Sequence, residues 1–129
     1  MDRWVLKPLI SIGNIKFGMD REEVHRLFDE KCQDFKKSKF SQNTADDYGK
    51  FHVFYTSENK VKAVEIFEDI EVELDGEIVF PIKTCQIEKV LAGITAEDGS
   101  YTSVEKSIGI YAPEEEAESI LAASEGYYA

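Results

Sequence analysis

Residues 69–80 read DIEVELDGEIVF, and this stretch decides what kind of fold the chain adopts. Its first six residues alternate strictly between acidic and aliphatic side chains, which is the pattern of a half-buried strand. Asp75-Gly76 then supplies a two-residue turn that favours a tight hairpin, because both residues tolerate a positive φ. Residues 77–80 are therefore predicted to pair back across this turn.

The segments on either side extend the strand pattern. Strands are expected at 33–41, 50–56, 61–68 and 107–112, and a short hairpin is expected around Gly13-Asn14. The polar residues 41–47 are typical of a loop, and Asp98-Gly99 marks a further turn. The middle of the chain is thus predicted to be sheet.

A helix is predicted over residues 20–31. Asp20 and Glu23 have the spacing of a capping box, in which the Asp20 side chain accepts a hydrogen bond from the Glu23 amide. Met19 and Val24 occupy the positions of a hydrophobic staple, and an apolar stripe at helical spacing begins at Val24.

Two further segments have helical features. Residues 84–91 are predicted to form a short second helix, with Thr84 as its cap and Gly93 as its stop. After Pro113, three glutamates in a first turn favour a helix. Residues 119–124 are equally compatible with a last strand paired to 107–112, so both alternatives stay open.

These elements predict an α+β fold and one domain spanning residues 1–129. We expect an antiparallel sheet of five or six strands with one or two helices packed on one face. A chain of 129 residues and 14.7 kDa is the length of one domain. Apolar runs are too short for a membrane span. The two cysteines provide no disulfide framework, and no signal-peptide pattern is present, so a cytoplasmic location is expected.

The residues give no recognisable catalytic or metal-binding constellation. His25 is expected on an exposed helix face, and His52 is expected to be a half-buried sheet residue. Cys32 and Cys85 lack a neighbouring Cys or His at ligand spacing. We therefore expect no catalytic residues, no metal and no cofactor, with an enzyme built on a carboxylate pair as the remaining alternative.

The negative charge is concentrated in the second half of the chain. Residues 1–62 have a net charge of +2 and residues 63–129 have a net charge of −13, within a total of −11. This total repels phosphate, so nucleic acid is not expected as a partner. No lysine or arginine lies between Ala63 and Ile82, which leaves the acidic strand without a cation nearby in sequence.

The acidic residues of the second half are the candidate partner-binding residues. They are Glu65, Glu68, Asp69, Glu71, Glu73, Asp75, Glu77, Glu114, Glu115, Glu116 and Glu118. Carboxylates on a strand recur every ~6.8 Å on one face, which is about four times sparser than the charges of duplex DNA. A basic groove on a protein partner therefore fits this surface better than mimicry of DNA.

Residues 15–24 read IKFGMDREEV and resemble the opening of small bacterial immunity proteins that guard against polymorphic toxins. This resemblance implies an acidic, single-domain α+β protein that neutralises a cognate toxin by covering its active site or blocking its substrate. The same Gly-x-x-x-x-Glu-Val pattern also marks the start of a helix in BamE-like and other unrelated domains, so Gly18–Val24 is assigned to the fold.

The function expected from the sequence is therefore an immunity protein or antitoxin. Its partner would be a basic toxin, for which a nuclease is the expected class because phosphate-binding clefts are lined by Lys and Arg. The alternative is a small-ligand or protein-interaction module that has no toxin partner.

Overall fold

The computed structural model describes residues 2–28, 32–36 and 43–128. Within these ranges the chain forms thirteen strands and two short helices. The strands are β1 (Asp2–Lys7), β2 (Ser11–Ile12), β3 (Ile15–Lys16), β4 (Gln33–Phe35), β5 (Ala45–Asp47), β6 (Phe51–Tyr55), β7 (Val61–Ile66), β8 (Ile70–Leu74), β9 (Glu77–Phe80), β10 (Thr95–Glu97), β11 (Ser100–Ser103), β12 (Ile108–Tyr111) and β13 (Ser119–Ala123). The helices are α1 (Arg21–Leu27) and α2 (Ile87–Val90), and a 3₁₀ turn at Thr84–Gln86 precedes α2.

The strands form two sheets. The smaller sheet has five strands in the order β3-β2-β1-β8-β9, and the larger has eight in the order β10-β11-β12-β13-β7-β6-β5-β4. Among the described strand pairs, only β1 and β8 run parallel, with Arg3 opposite Glu71. The protein is therefore a single, mostly β domain with two helices.

The expectation of one sheet with five or six strands is wrong. Two of the additional strands, β5 and β10, are only three residues long. So short a segment contains too few residues for an alternating pattern, and its strand conformation comes from pairing with a neighbour. Ala45–Asp47, predicted to be a loop, is such a case.

The hairpin signals predicted the local pairing correctly. β2 and β3 pair around Gly13-Asn14, and β8 and β9 pair around Asp75-Gly76. Asp75 has a φ of 52° and Gly76 has a φ of 84°, as a mirror-image turn requires. The predicted strand at 33–41 is observed as Gln33–Phe35, and residues 37–42 lie outside the described residues.

Helix α1 is shorter than predicted and begins differently. It ends at Leu27, and residues 29–31 of the predicted helix lie outside the described residues. The Asp20 side chain makes no capping hydrogen bond and instead accepts one from Lys60. The capping-box prediction is therefore wrong, because an ion pair with the β6–β7 turn takes the carboxylate away from the helix amides.

Of the two alternatives for the segment after Pro113, helix and strand, the structure shows the strand. β13 lies between β12 and β7 and is buried at all five positions.

The predicted second helix is observed as the 3₁₀ turn followed by α2. No helix among the described residues is long and apolar enough to cross a membrane.

The larger sheet has apolar residues on both faces. The main core contains residues from both sheets and both helices, including Ile12, Val24, Ile66 and Ile87. A second, smaller cluster lies on the other face of the eight-stranded sheet, and Phe35, Tyr127 and Tyr128 pack against it; its buried members are Ala45, Phe54, Ala63, Leu121 and Ala123. The central strands are thus covered on both sides.

Replacing Gly76 by valine tests the mirror-image turn. A Cβ at this glycine would meet no other atom within 4 Å, so the expected cost comes from the positive φ alone. We expect Gly76→Val to lower the free energy of unfolding by about 1–2 kcal/mol, measured by urea denaturation. Gly76→Asn is the matched control, because asparagine tolerates the left-handed region. Equal losses in the two variants would contradict the turn assignment.

Candidate functional site

The acidic strand β8 is paired with a cation that is remote in sequence. Because β1 lies parallel to β8, Arg3 is placed next to the acidic side chains of that strand. Its guanidinium lies 3.2 Å from Glu71 Oε1 and 3.7 Å from Glu73 Oε1. The expectation that these carboxylates lack a nearby cation is therefore wrong for Glu71 and Glu73.

The two ends of the predicted acidic row lie in turns. Asp69 and Asp75 have positive φ values of 57° and 52°, so they do not continue the outward face of β8. Lys50 Nζ lies 3.9 Å from Asp69 Oδ2. Four carboxylates are thus accompanied by two cations, and the negative field along this strand is weaker than the sequence indicated.

The other acidic residues of this region differ in their surroundings. Glu65 is half-buried and accepts a hydrogen bond from the Ser119 hydroxyl at 3.1 Å. Glu68 and Glu77 are exposed and form no ion pair within the described part of the chain. The predicted residues of the β7–β9 region therefore do not form one uniform acidic surface.

Residues 113–118, here called the acidic loop, carry the other predicted residues. Glu114, Glu115, Glu116 and Glu118 are all exposed, and none forms an ion pair with any described residue. These four carboxylates lie within five residues and form no ion pair in the described part of the chain, although Lys83 lies nearby. They therefore give the strongest unpaired negative charge among the predicted residues.

Hydrogen bonds to neighbouring segments hold the backbone of the acidic loop. The Thr84 amide donates to Glu115 O at 2.9 Å, and the Thr84 hydroxyl donates to Glu114 O. The Ala117 amide donates to Ile82 O at 2.9 Å, and the Glu118 amide donates to Tyr111 O at 2.7 Å. The glutamate side chains therefore project from an ordered backbone.

A groove of about 650 Å³ lies beside the acidic loop. Glu114, Glu115 and Glu116 form one side of this groove. Its remaining lining comes from the 3₁₀ turn, α2 and β11, namely Lys83, Thr84, Cys85, Glu88 and Tyr101. The groove thus combines four carboxylates with one aromatic ring and with one cation, Lys83, whose backbone pairs with that of Glu116.

A buried polar network connects helix α1 with strands β5 and β6 and was not found in the sequence. Asp46 is 1% exposed and accepts hydrogen bonds from Arg21 at 2.6 Å, from the Tyr55 hydroxyl at 2.7 Å and from His25 Nε2 at 2.7 Å. We call Arg21, His25, Asp46 and Tyr55 the Asp46 network. It joins helix α1 to strands β5 and β6.

The Asp46 network has opposing electrostatic contributions. Burial would raise the pKa of Asp46, but the hydrogen bonds from Arg21, Tyr55 and His25 together lower it below its ordinary value. Burial and the bond to Asp46 raise the pKa of Tyr55, so this hydroxyl stays protonated and donates. Because the pKa of Asp46 is lowered, its ionised carboxylate stabilises the folded protein at pH values above the ordinary carboxylate pKa. This stabilisation is lost as the pH falls through the pKa that Asp46 has in the folded protein.

Cys32 lies at the edge of the Asp46 network. Its Sγ is 3.8 Å from His25 Nε2, and burial raises the pKa of the thiol. No Cys or His stands at ligand spacing from Cys32 in the sequence, but the fold brings its thiol close to His25, which lies seven positions earlier in the chain. His25 is on the helix surface as predicted, but its ring is engaged by Asp46. His52 is half-buried, as predicted, among aromatic rings.

One sequence signal could have indicated the Asp46 network. Arg21 and His25 are four residues apart, so a helix places both on the same face, where they can share one anion. Nothing in the residues around Asp46 distinguishes it from Asp47, and only the strand pairing turns it inward.

In comparisons with known proteins, the chain matches no family model, no curated protein and no solved structure.

Mutation of Asp46 is expected to lower the free energy of unfolding strongly, by an amount that depends on whether Arg21 is still present. Asp46→Asn leaves the Arg21 guanidinium, with 15% of its side chain exposed, without its counter-charge. We expect a loss of about 3–5 kcal/mol in the free energy of unfolding, measured by urea denaturation.

The double variant Asp46→Asn/Arg21→Met should lose less than the sum of the two single variants, because no unpaired charge is then left buried. Glu97→Gln, at an exposed glutamate on β10, is the control and should change stability by less than about 0.5 kcal/mol. Strictly additive losses would show that the ion pair is not coupled.

Proposed function

We propose that this protein is an immunity protein, or antitoxin, that binds and neutralises a basic toxin through the acidic loop. The observation that carries this proposal is the unpaired charge of Glu114, Glu115, Glu116 and Glu118 on a hydrogen-bonded backbone. The acidic strand β8 takes a secondary role, because Arg3 already pairs with Glu71 and Glu73.

An ordered acidic surface reduces the free-energy cost of binding. A flexible loop loses conformational entropy when it docks, whereas the backbone of the acidic loop is already held by residues 82–84 and by Tyr111. Among the residues that the structure describes, its carboxylates have no ion pair to break before they contact a partner. Both features favour recognition of a cationic surface.

The groove beside the acidic loop provides a place for a long basic side chain. A lysine or arginine entering it would meet carboxylates from Glu88 and Glu114–Glu116 and the ring of Tyr101, and these four carboxylates outnumber the one cation of the lining, Lys83. A cation over an aromatic face adds a favourable electrostatic contribution to this attraction. The combination is suited to anchoring an arginine or lysine from the partner.

A nuclease is the class of toxin that fits this surface best. Such an enzyme lines its cleft with Lys and Arg to hold phosphates, and an acidic protein can occupy that cleft in place of the substrate. The net charge of −11 steers the two proteins together and disfavours binding of this chain to the nucleic acid itself.

The groove also supports a second candidate, a module that binds a small cationic ligand or a basic protein other than a toxin. Its volume of about 650 Å³ lies within the range of small-molecule pockets. Protection of growing cells distinguishes the candidates, since only an antitoxin rescues growth.

Neutralising the acidic loop tests the proposed binding surface. The loop variant combines Glu114→Gln, Glu115→Gln, Glu116→Gln and Glu118→Gln, which changes the net charge from −11 to −7. We expect this variant to associate at least ~10-fold more slowly with the toxin encoded by the adjacent reading frame, and with a weaker salt dependence. Stopped-flow kinetics at two salt concentrations measure both quantities.

The matched control makes the same change in charge on the β8–β9 hairpin, through Glu68→Gln, Asp69→Asn, Asp75→Asn and Glu77→Gln. This hairpin variant should associate faster than the loop variant and should protect cells that express the toxin. If the folded loop variant binds and protects like the wild type, the acidic loop is not the recognition surface. If the wild type itself fails to protect, the antitoxin proposal fails.

A further inference from the structure

Three potential metal ligands from separate parts of the chain converge at the edge of the Asp46 network. His25 comes from α1, Cys32 precedes β4, and Asp46 lies on β5. One ligand atom from each residue lies within 4.8 Å of the other two. His25 Nε2 is 3.8 Å from Cys32 Sγ and 2.7 Å from Asp46 Oδ2.

The geometry distinguishes this cluster from a catalytic Cys-His-Asp triad. In a triad, the nucleophile and the carboxylate contact opposite nitrogens of the imidazole ring. Here the thiol and the carboxylate both face the same nitrogen, Nε2. The three donor atoms lie within 4.8 Å of one another, which is close enough for a single metal ion to bind all three after a small movement.

We propose that His25, Cys32 and Asp46 bind a divalent zinc ion. Imidazole, thiolate and carboxylate are the three kinds of protein ligand that zinc takes. Bond lengths of ~2.0–2.3 Å and tetrahedral angles place the ligand atoms about 3.5 Å apart. The sulfur–nitrogen separation of 3.8 Å is close to this value, and a small movement of the half-exposed His25 ring would open the shorter nitrogen–oxygen separation.

Tyr48 supplies an independent observation that favours a thiolate at this position. Its hydroxyl is buried next to Cys32 and makes no well-formed hydrogen bond with any described residue. A buried O–H without an acceptor is costly, and a neutral thiol is a weak acceptor. Zinc binding would release the Cys32 proton to solvent and leave a thiolate, which is a strong acceptor for the Tyr48 hydroxyl. His25 would carry its ring proton on Nδ1, so that Nε2 is free to ligate the ion.

The rest of the Asp46 network orients the carboxylate for the metal. Arg21 donates to Oδ1 and the Tyr55 hydroxyl donates to Oδ2, so both oxygens are held in place by groups that are not ligands. Such outer partners are typical of ligating carboxylates. His25 also lines a groove of about 320 Å³ that is open to solvent, from which water can supply the fourth ligand.

Zinc at this position would join helix α1 to strand β5 and to the residue that precedes the edge strand β4. This role does not depend on the acidic loop, which lies in a different part of the fold, so the zinc proposal and the proposed function can fail separately.

Titration of the reduced, chelator-treated full chain with zinc chloride tests the proposal. The wild type should bind one equivalent with an increase in melting temperature. Cys32→Ser should bind at least tenfold more weakly. Cys85→Ser is the matched control, because Cys85 is an exposed cysteine outside the cluster, and it should bind zinc like the wild type.

Substitution with cobalt provides a spectroscopic measurement of the sulfur ligand. The wild type and Cys85→Ser should show a thiolate-to-cobalt charge-transfer band, and Cys32→Ser should not. Should Cys32→Ser fail to fold, Cys32→Ala provides the same comparison of the charge-transfer band. His25→Gln then provides the comparison of zinc affinity, since this side chain is half-exposed. Equal zinc affinity in the wild type and the cluster variants, or no charge-transfer band in the wild type, would overturn the proposal.

Discussion

The placement of β13 between β12 and β7 is the constraint on which the larger sheet depends. Ser119–Ala123 pairs on one side with Ile108–Tyr111 and on the other with residues 63–66. Without this strand, β10–β12 would be separated from β4–β7, and each group would expose an unpaired edge. All five residues of β13 are buried, so the strand belongs to the cores on both faces of the sheet.

The acidic loop derives its geometry from the same constraint. It connects β12 to β13 across the end of the sheet, and its backbone hydrogen bonds to residues 82–84 fasten that connection to the segment after β9. The glutamates cannot form the first turn of a helix there, because the following residues are required in the sheet. Their charge is therefore presented at the surface, away from the arginine and lysine that accompany the β8 carboxylates.

Helix α1 depends on tertiary contacts to an unusual extent for its length. A seven-residue helix is marginal by itself, and this one lacks a side-chain cap. Val24 anchors it in the main core, Asp20 pairs with Lys60, and Arg21 and His25 bind the buried Asp46. The polar contacts of one helix face thus replace the stabilisation that the capping box was predicted to give.

The sequence by itself determined the features that depend on neighbouring residues. Alternation predicted the strands around β6–β9, and a glycine preceded by aspartate located the turn at Asp75-Gly76, because positive φ is a local property. The charge asymmetry also followed from the residues alone, and it singled out the acidic candidates before any fold was known.

The tertiary structure decided which of those candidates remain unpaired and which polar residues are buried. Arg3 neutralises part of β8 only because β1 lies parallel to it, and Asp46 is buried only because β5 pairs with β4 and β6. Residues 119–123 likewise form a strand rather than a helix because they pair with β12 on one side and with β7 on the other. Contacts between residues that are distant in sequence leave no periodic pattern in either partner, so local propensity does not predict them.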